Sequence, residues 1–294
     1  MKAKDHSETF NAQVTAIVLN YKDHCETITC VRKLLELDYV PLHCVVVDNA
    51  SPNDSLAQLR EVLGRESRVT ILSAPSNGGY AAGNNIGVRW AIANHRPKYI
   101  FIVNPDVRVT DRSTVAQLVA FADSHPDAGV VSPKVVLPNG WVQGPYERPS
   151  LTLSCIKFMI PLVWYVLRSR HQRKFRILAT PCRAFRTIGA CMLIRAESFV
   201  EAGMFDEGTF LESEEDILAE RLSQLEQYFY HFPLVVVVHH HERQGNGRWT
   251  IASLKYYFKT YRGASGFALR VLEFCLKFYR TFYLPIKSRI PIIQ

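Results

Sequence analysis

The stretch Lys98–Val109, KYIFIVNPDVRV, decides how the rest of the chain is interpreted. Its segment Tyr99–Val103 is an unbroken run of aromatic and β-branched residues, which is typical of a strand buried on both faces of a sheet. Pro105 cannot donate a hydrogen bond to a sheet, so the strand must end at Asn104. Asp106 is then left at the carboxyl end of a strand, where open α/β sheets bind ligands. Alone, the stretch fits a plain turn equally well.

Three shorter apolar segments precede this strand and alternate with helical patterns. We predict strands at Val14–Leu19, His43–Val47 and Val69–Leu72, and a Gly- and Asn-rich loop, Asn77–Asn85, that opens the helix before Tyr99. This alternation predicts an α/β fold with a Rossmann-like, mainly parallel sheet flanked by helices.

The second half of the chain is less regular. We predict a turn and strand from Gly189-Ala190-Cys191, a helix opened by the acids Glu214, Glu215 and Asp216 and running to about Gln227, and two closing strands at Tyr228–His231 and Leu234–Val238, which His239, His240 and His241 follow.

Composition is that of a globular protein, with 48% hydrophobic and 21% charged residues in 294. No apolar run is long enough to span a bilayer, and the polar residues 1–12 predict a flexible tail, not a signal peptide. We therefore expect a cytoplasmic protein. The seven cysteines form no CxxC pair, which predicts free, mostly buried thiols.

The formal charge of +8 is concentrated in the later part of the chain. Residues 149–196 contain nine Lys or Arg and no acid, and residues 250–294 contain eight Lys or Arg and one acid, Glu273. This asymmetry predicts an anionic partner.

Between Phe267 and Tyr283 the charged residues Arg270, Glu273, Lys277 and Arg280 share one helical stripe beside a broad apolar face. Such a helix either packs on the rest of the protein or lies on an anionic membrane. Ile156–Leu167 is a second apolar segment, followed by basic residues, and two such segments would suit a lipid-linked sugar acceptor at the bilayer surface.

Several polar groups suit chemistry, and each has a plainer explanation. Asp48 at a strand end could cap a helix or accept the imide N–H of a pyrimidine. The Asn77–Asn85 loop lets backbone approach a nucleotide but lacks the Walker and dinucleotide spacings. Asp106 is a ligand type that suits Mg²⁺ or Mn²⁺. The acids from Glu214 could favour a helix N-terminus or supply a base, and the histidines from His239 could be solvated or lie on a metal or diphosphate.

Taken in order, these features resemble the family 2 glycosyltransferases of the GT-A fold, from Val14 to His241. Within that family the chain is most similar to the bacterial rhamnosyltransferases, through VLNYK, VVDNAS, SNGGYAAGNNIGV, FIVNPDV, GACMLIR and GMFDEGTFLESEEDILAERL. The resemblance implies a GT-A domain over residues 13–247, with a nucleotide-binding half at 13–140 and an acceptor half at 141–247. Residues 248–294 would form a C-terminal amphipathic helical extension, basic and aromatic.

The resemblance also implies roles for single residues. Asp48 would bind the pyrimidine of a nucleotide-sugar. Val18, Asn20, Asn77, Gly78 and Asn84 would line the donor site. Asn104 and Asp106 stand where the family has Asp-x-Asp, so Asp106 would hold Mg²⁺ or Mn²⁺, with His239 closing the donor and metal site. Glu215 takes the position of the catalytic base, with Glu214 next to it. Because Ile217 stands where a further acid is usual, Glu214, Glu215 and Asp216 all stay open as the base.

The activity implied is an inverting transfer of a sugar to a hydroxyl of a glycan or polyprenyl-linked glycan acceptor. Rhamnose from dTDP-rhamnose is the expected donor, UDP-linked sugars being possible, in cell-surface polysaccharide (O-antigen) synthesis at the inner face of the cell membrane. Two alternatives are a nucleotidyltransferase that makes a nucleotide-sugar and a non-catalytic basic protein that binds membrane or nucleic acid. A non-catalytic basic protein would have no use for acidic residues at strand ends. We expect no nucleic-acid partner.

Overall fold

The computed structural model describes residues 13–39, 42–240 and 247–283. The predicted tail at 1–12, His241 and residues 284–294 of the predicted extension lie outside the described residues. The strands are β1 Val14–Asn20, β2 Leu42–Asp48, β3 Val69–Ser73, β4 Tyr99–Val103, β5 Val107–Val109, β6 Ala128–Val136, β7 Val142–Gln143, β8 Cys182–Ala184, β9 Cys191–Arg195 and β10 Tyr228–His239. The helices are α1 His24–Leu35, α2 Ser55–Leu63, α3 Gly79–Asn94, α4 Thr114–Ser124, α5 Leu151–Met159, α6 Pro161–Ile177, α7 Ala196–Glu201, α8 Glu214–Gln224, α9 Gly247–Thr260 and α10 Gly266–Phe278, which a π-helical turn at Tyr279–Tyr283 continues.

One open sheet runs through the described part of the chain, in the order β3-β2-β1-β4-β9-β6-β10-β5. Six of these eight strands point the same way, and β9 and β5 run against them. The predicted α/β fold with a mainly parallel sheet is thus confirmed. The antiparallel β9 lies between β4 and β6, so the Gly189-Ala190-Cys191 turn before it meets the carboxyl end of β4.

Helices cover both faces of this sheet, which is why β1, β2 and β4 are almost entirely buried and mostly apolar. On one face α1, α2 and α4 bury Val31, Leu59 and Leu118 against the strands. On the other face α3, α7 and α8 bury residues such as Val88 and Leu218. The carboxyl ends of the parallel strands are left as an edge that loops surround.

The segment from residue 248 packs on the preceding domain through a third apolar cluster. Tyr257 and Phe258 of α9 and Leu272 and Leu276 of α10 are buried with Ile217 of α8, and residues of α5 pack against them. The predicted amphipathic helix therefore has two apolar faces: leucines face the protein, and the phenylalanine stripe that begins at Phe267 faces outward.

One prediction about strands was wrong, and one strand was not predicted. The closing strands Tyr228–His231 and Leu234–Val238 form one strand, β10, with an irregular register between Phe232 and Val236. Pro233 and its neighbour Pro133 on β6 cannot donate to the ladder at this point, which accounts for the irregularity. The residues after Asp106 were not predicted as a strand, yet they form β5, which pairs with the end of β10.

No single described helix is long and apolar enough to cross a membrane; α5 and α6 together have the length and composition, with a bend of 112° between them. The seven cysteines are free, as predicted, and four of them are buried.

Candidate active site

The Asn104-Pro105-Asp106 segment forms a tight turn between β4 and β5. The Asn104 N–H donates to the Ala190 carbonyl at 2.8 Å, and the Val107 N–H donates to the Asn104 carbonyl at 3.0 Å. Arg108 donates to the Pro105 carbonyl at 3.0 Å and also forms an ion pair with Glu26. These bonds fix the turn from several sides, so Asp106 is held in one place at the sheet edge.

Asp106 faces His239, the last residue of β10. The His239 Nε2 atom lies 3.2 Å from Asp106 Oδ1. On the other side of the ring, Nδ1 lies 2.6 Å from Gln143 Oε1, which requires the proton to be on Nδ1 and leaves Nε2 directed at Asp106. The backbone adds a further bond, from the His240 N–H to the Asp106 carbonyl at 2.8 Å. The pairing of β5 with β10 therefore brings together two residues that are far apart in sequence.

This pair fits a divalent cation. Two ligand atoms at about 2.1 Å from an octahedral ion, at right angles to each other, are about 3.0 Å apart. The observed 3.2 Å between Nε2 and Oδ1 is close to that spacing. The carboxylate oxygen of Asp106 is a ligand type that suits Mg²⁺ and Mn²⁺ alike. Among the described residues no group of three His, Cys, Asp or Glu could hold a metal, so the other ligands would be water and phosphate oxygens.

The acids Glu214, Glu215 and Asp216 open α8, as predicted, and all three are buried. The two residues before them, Glu212 and Ser213, both have a φ of 70°, in the left-handed region that residues with a side chain seldom adopt. Such backbone costs on the order of 1–3 kcal/mol per residue and clusters at functional sites. The strained turn directs the acids inward, toward the β9 side of the site.

Glu215 is held by the turn before β9. Its Oε1 accepts a hydrogen bond from the Gly189 N–H at 2.8 Å. A Cβ on residue 189 would lie 2.3 Å from the same oxygen, so only glycine permits the contact. Burial raises the pKa of Glu215, while the Arg186 guanidinium and the Gly189 N–H oppose that rise.

Asp216 is bound to Arg186. The Arg186 Nε donates to Asp216 Oδ1, and its guanidinium lies 4.3 Å from the ring centre of Tyr146. Burial raises the pKa of Asp216, which the Arg186 charge opposes. The carboxylate is therefore occupied by an ion pair.

Glu214 is in a different environment from its two neighbours. Its Oε2 is buried and has no hydrogen-bond partner among the described residues. Burial, together with the nearby Glu215, raises the pKa of Glu214 well above its ordinary value. The protonated, neutral form is therefore the one that this position favours.

Tyr80 lies between the acids and the Asp106–His239 pair. Its hydroxyl donates to the Gly189 carbonyl at 2.8 Å. Burial raises its pKa strongly, and the charges of Glu215, Glu214 and Asp106 raise it further. One tyrosine is thus within electrostatic range of both acidic groups, which places them around the same part of the sheet edge.

The predicted donor residues lie on the β1–β2 side of that edge. Asp48 is buried, and its carboxylate accepts hydrogen bonds from the Asn20 side chain at 2.7 Å and the Ser51 N–H at 3.0 Å. Asn20 also accepts from the Thr27 hydroxyl at 2.8 Å. Val18 is fully buried in the core, so it presents no exposed surface to a ligand.

The Gly- and Asn-rich loop is ordered by its own side chains. Asn77 Oδ1 accepts from the Gly79 N–H and from the Asn49 side chain, both at 3.0 Å. Gly79 has a φ of 88°, and a Cβ there would lie 2.1 Å from the Phe210 carbonyl oxygen, so this position requires glycine. Gly78 precedes the first residue of α3, and Asn84 donates to the Tyr80 carbonyl one turn earlier, at 2.9 Å. The loop is a rigid start to α3.

The structure thus brings the predicted residues together in two groups: Asn20 with Asp48, and Asp106 with His239. Glu214 and Glu215 reach the second group through Gly189 and Tyr80. Sequence reasoning gave no role to Gln143, Tyr80 or Arg186. Tyr80 lies within the quoted Gly-rich motif and could have been singled out, but a lone glutamine or arginine carries no such signal.

These features define an α/β protein with an Asp106–His239 pair and a buried acid group at the carboxyl edge of its sheet. Residues 15–203 match the family described as Glycosyl transferase family 2. The chain belongs to this family. The matched range includes Asp48 and Asp106 and ends before Glu214, Glu215 and His239.

Two curated proteins are similar in sequence. The "Low-salt glycan biosynthesis hexosyltransferase Agl10" of Haloferax volcanii is 22% identical over 208 residues, covering 71% of this chain and 61% of that protein. The "Uncharacterized protein y4gI" of Sinorhizobium fredii is 29% identical over 133 residues, covering 44% of this chain and 14% of that protein. The chain thus spans less than two thirds of the length of each.

Two solved structures share the fold. One is the mannosyltransferase PcManGT from Pyrobaculum calidifontis in complex with GDP-Man and Mn²⁺, with a TM-score of 0.61, 19% identity, and coverage of 96% of this chain and 79% of that one. The other is GalNAc-T7 with UDP, GalNAc and Mn²⁺, with a TM-score of 0.63, 13% identity, and coverage of 95% and 58%. Both likenesses support the GT-A fold.

Proposed function

We propose that the protein is an inverting glycosyltransferase that moves a sugar from a nucleotide-sugar to a hydroxyl group. The observation that carries the proposal is the arrangement around the turn before β9. One residue of that turn, Gly189, contacts Glu215, and the next, Ala190, accepts from the Asn104-Pro105-Asp106 turn. A base and a diphosphate site are thereby adjacent, which transfer to a hydroxyl requires.

Glu215 is the proposed base. Burial raises the pKa of Glu215, but the Gly189 N–H and Arg186 both oppose that rise and so favour the ionised form that a base needs. Asp216 is occupied by Arg186, and the pKa of Glu214 is raised well above its usual range.

Glu215 takes the proton of the acceptor hydroxyl, whose oxygen bonds to the anomeric carbon on the face opposite the diphosphate. The bond from that carbon to the phosphate oxygen breaks, and the nucleoside diphosphate leaves.

Asp106 and His239 would hold a divalent cation, Mg²⁺ or Mn²⁺, at the diphosphate. When bound, the cation neutralises the charge that develops on the departing phosphate. Asn104 orients the turn through its backbone. On the donor side, Asp48 would accept a hydrogen bond from the pyrimidine, and Asn20, Asn77, Gly78 and Asn84 would shape the pocket.

The proposed donor is dTDP-rhamnose, and the proposed acceptor is a glycan or polyprenyl-linked glycan at the inner face of the cell membrane. The rhamnosyltransferase-like motifs support this donor, and the basic charge of the later part of the chain supports an acceptor near anionic lipid. Family membership favours sugar transfer over nucleotidyl transfer and over a non-catalytic basic protein.

A nucleotide-sugar screen tests the proposal. Thermal melts of the full chain with dTDP-rhamnose, UDP-sugars and GDP-mannose, each with and without Mn²⁺, would show which ligand stabilises the native state. We expect the largest rise in melting temperature with dTDP-rhamnose and Mn²⁺. Product from a synthetic polyprenyl-linked acceptor should have inverted anomeric configuration by NMR. A retained configuration, or stabilisation by nucleoside triphosphates alone, would contradict the proposal.

A further inference from the structure

The phenylalanine stripe of α10 remains exposed after the helix has packed on the protein. Leu272 and Leu276 are buried in the third apolar cluster, yet Phe267 and Phe274 are 71% and 63% exposed. The exposed and buried rows lie on opposite sides of one helix. Because large aromatic side chains seldom lie exposed in a row, this row indicates a contact surface.

A second exposed apolar group lies where α5 meets α6. It consists of Ile156, Met159, Ile160, Leu162, Tyr165 and Val166, and Leu162 is 69% exposed. Helix α5 packs against the C-terminal helices, with the Phe158 ring 5.5 Å from that of Tyr279. The two exposed groups therefore belong to the same helical layer. We call the phenylalanine stripe and this corner together the apolar surface.

Basic residues flank both parts of the apolar surface. Arg170, Arg173, Lys174 and Arg176 are exposed on the last turns of α6, and Arg270 and Lys277 are exposed beside the phenylalanine stripe. Residues 149–196 contain no acid. The acid of α10, Glu273, is 2.5 Å from Lys255 and 2.8 Å from Lys277, which cancels its charge. An apolar face with a basic rim is complementary to an anionic bilayer and repels a second basic copy of itself.

We propose that this apolar surface, with its basic rim, is a membrane-docking face that binds anionic lipid. The membrane partner agrees with the proposed lipid-linked acceptor and to that extent rests on the proposed function, whereas the surface itself follows from exposure and charge. The layer that carries it covers Ile217, the residue after Asp216. Docking would therefore hold the acid group of the site close to the bilayer, where a polyprenyl-linked hydroxyl is presented.

Flotation of the full chain with vesicles tests the docking face. The vesicles are phosphatidylcholine alone or phosphatidylcholine with phosphatidylglycerol. We expect the chain to float with the anionic vesicles only. Phe267→Gln with Phe274→Gln should abolish flotation. The matched control is Leu234→Gln with Val236→Gln, two apolar residues of β10 that are 58% and 43% exposed, and it should float as the unaltered chain does.

The basic rim is tested by a second pair of variants. Arg173→Gln with Arg270→Gln should weaken partitioning roughly tenfold, since each basic residue near an anionic surface contributes to binding. Arg32→Gln with Arg65→Gln changes the net charge equally, at exposed sites on the other half of the chain, and should have little effect.

Three outcomes would overturn the inference: equal flotation with neutral and anionic vesicles, flotation of the phenylalanine variant at the unaltered level, or conversion of a dimer to a monomer in that variant with vesicle binding unchanged. The last would make the face an interface between copies of the chain. Thermal melts with dTDP or UDP and Mn²⁺ on the same variants report the donor site separately, so a failed membrane test and a failed transferase proposal are distinguishable.

Discussion

The Gly189 N–H donates to Glu215 Oε1 at 2.8 Å, and a methyl group on residue 189 would lie 2.3 Å from that oxygen. The contact ties the proposed base to the turn that also accepts the backbone of Asn104. We expect Gly189→Ala to displace the Glu215 carboxylate and to lower kcat roughly 10²-fold, since small displacements of a base have effects of that size. Steady-state kinetics would measure it. Gly266→Ala, which meets no atom within 4 Å, is the matched control.

The identity of the base is tested by Glu215→Gln. The amide oxygen can still accept from Gly189, but the side chain can no longer take a proton, so transfer should fall about 10²- to 10⁴-fold. Stabilisation by the donor should be kept, as a thermal melt would show. Glu212→Gln, at an exposed acid three residues earlier, should keep its activity. Full transfer by Glu215→Gln would move the role to another acid.

Asp106 and His239 should determine the affinity for Mn²⁺. Asp106→Asn removes a charged ligand and His239→Gln removes a nitrogen ligand, so each should weaken Mn²⁺ binding about 10-fold or more in the presence of a nucleoside diphosphate. Electron paramagnetic resonance of free Mn²⁺ measures this without an activity assay. Asp54→Asn, at an exposed aspartate before α2, serves as the control. Unchanged Mn²⁺ affinity in both site variants would exclude this pair as the ligands.

Glu214→Gln should stabilise the fold at neutral pH. Because the folded-state pKa of Glu214 is raised, the folded protein holds a proton that the unfolded chain has lost above its ordinary pKa of about 4.3. The native chain therefore loses stability as pH rises above that value, and the glutamine variant lacks the part of this loss that comes from residue 214. Melting curves should be recorded from about pH 4 to about pH 8, a window that begins near that ordinary pKa. The melting temperature of Glu214→Gln should exceed that of the native chain by an amount that grows with pH. A difference in melting temperature that stays constant with pH would contradict a raised pKa of Glu214.

Arg186 should set the acidic limb of the pH profile of kcat. Its charge lowers the pKa of Glu215, so Arg186→Gln should move that limb to higher pH, while Arg186→Lys should move it less. Because loss of Arg186 leaves Asp216 buried without its partner, a second variant, Arg186→Gln with Asp216→Asn, removes both charges and spares the fold. Since the Asp216 charge raises the pKa of Glu215, this double variant should move the limb to higher pH by less than Arg186→Gln alone does. An unmoved acidic limb in a folded variant would mean that Arg186 acts only on the fold.

Much of the first half of the fold could be predicted, because β1, β2 and β4 are buried on both faces and are therefore mostly apolar in sequence. Strand β5 could not be predicted, because a strand of three residues after a proline turn is too short to show an alternation of apolar and polar residues. The interruption at Pro233 looked like a strand end because the sequence does not show that β6 carries a proline at the same level.

Within the site, motif order identified Asp106, Glu215 and His239 as candidates. It could not show that His239 faces Asp106, because that contact depends on the pairing of β5 with β10. Nor could motif order show which of Glu214, Glu215 and Asp216 is the base. Their difference comes from Gly189 and Arg186, which belong to another segment of the chain.

Helix α9 bears on how the chain can be shortened. Tyr257 is completely buried and donates to Glu220 of α8 at 2.7 Å, and Glu220 also forms an ion pair with Arg148. A chain ending at residue 247 would expose Ile217 to water and deprive Glu220 of one of its donors. Truncations made for expression or crystallisation should therefore retain α9 and α10, and a protease acting on the native protein should leave them attached to the acid-bearing helix.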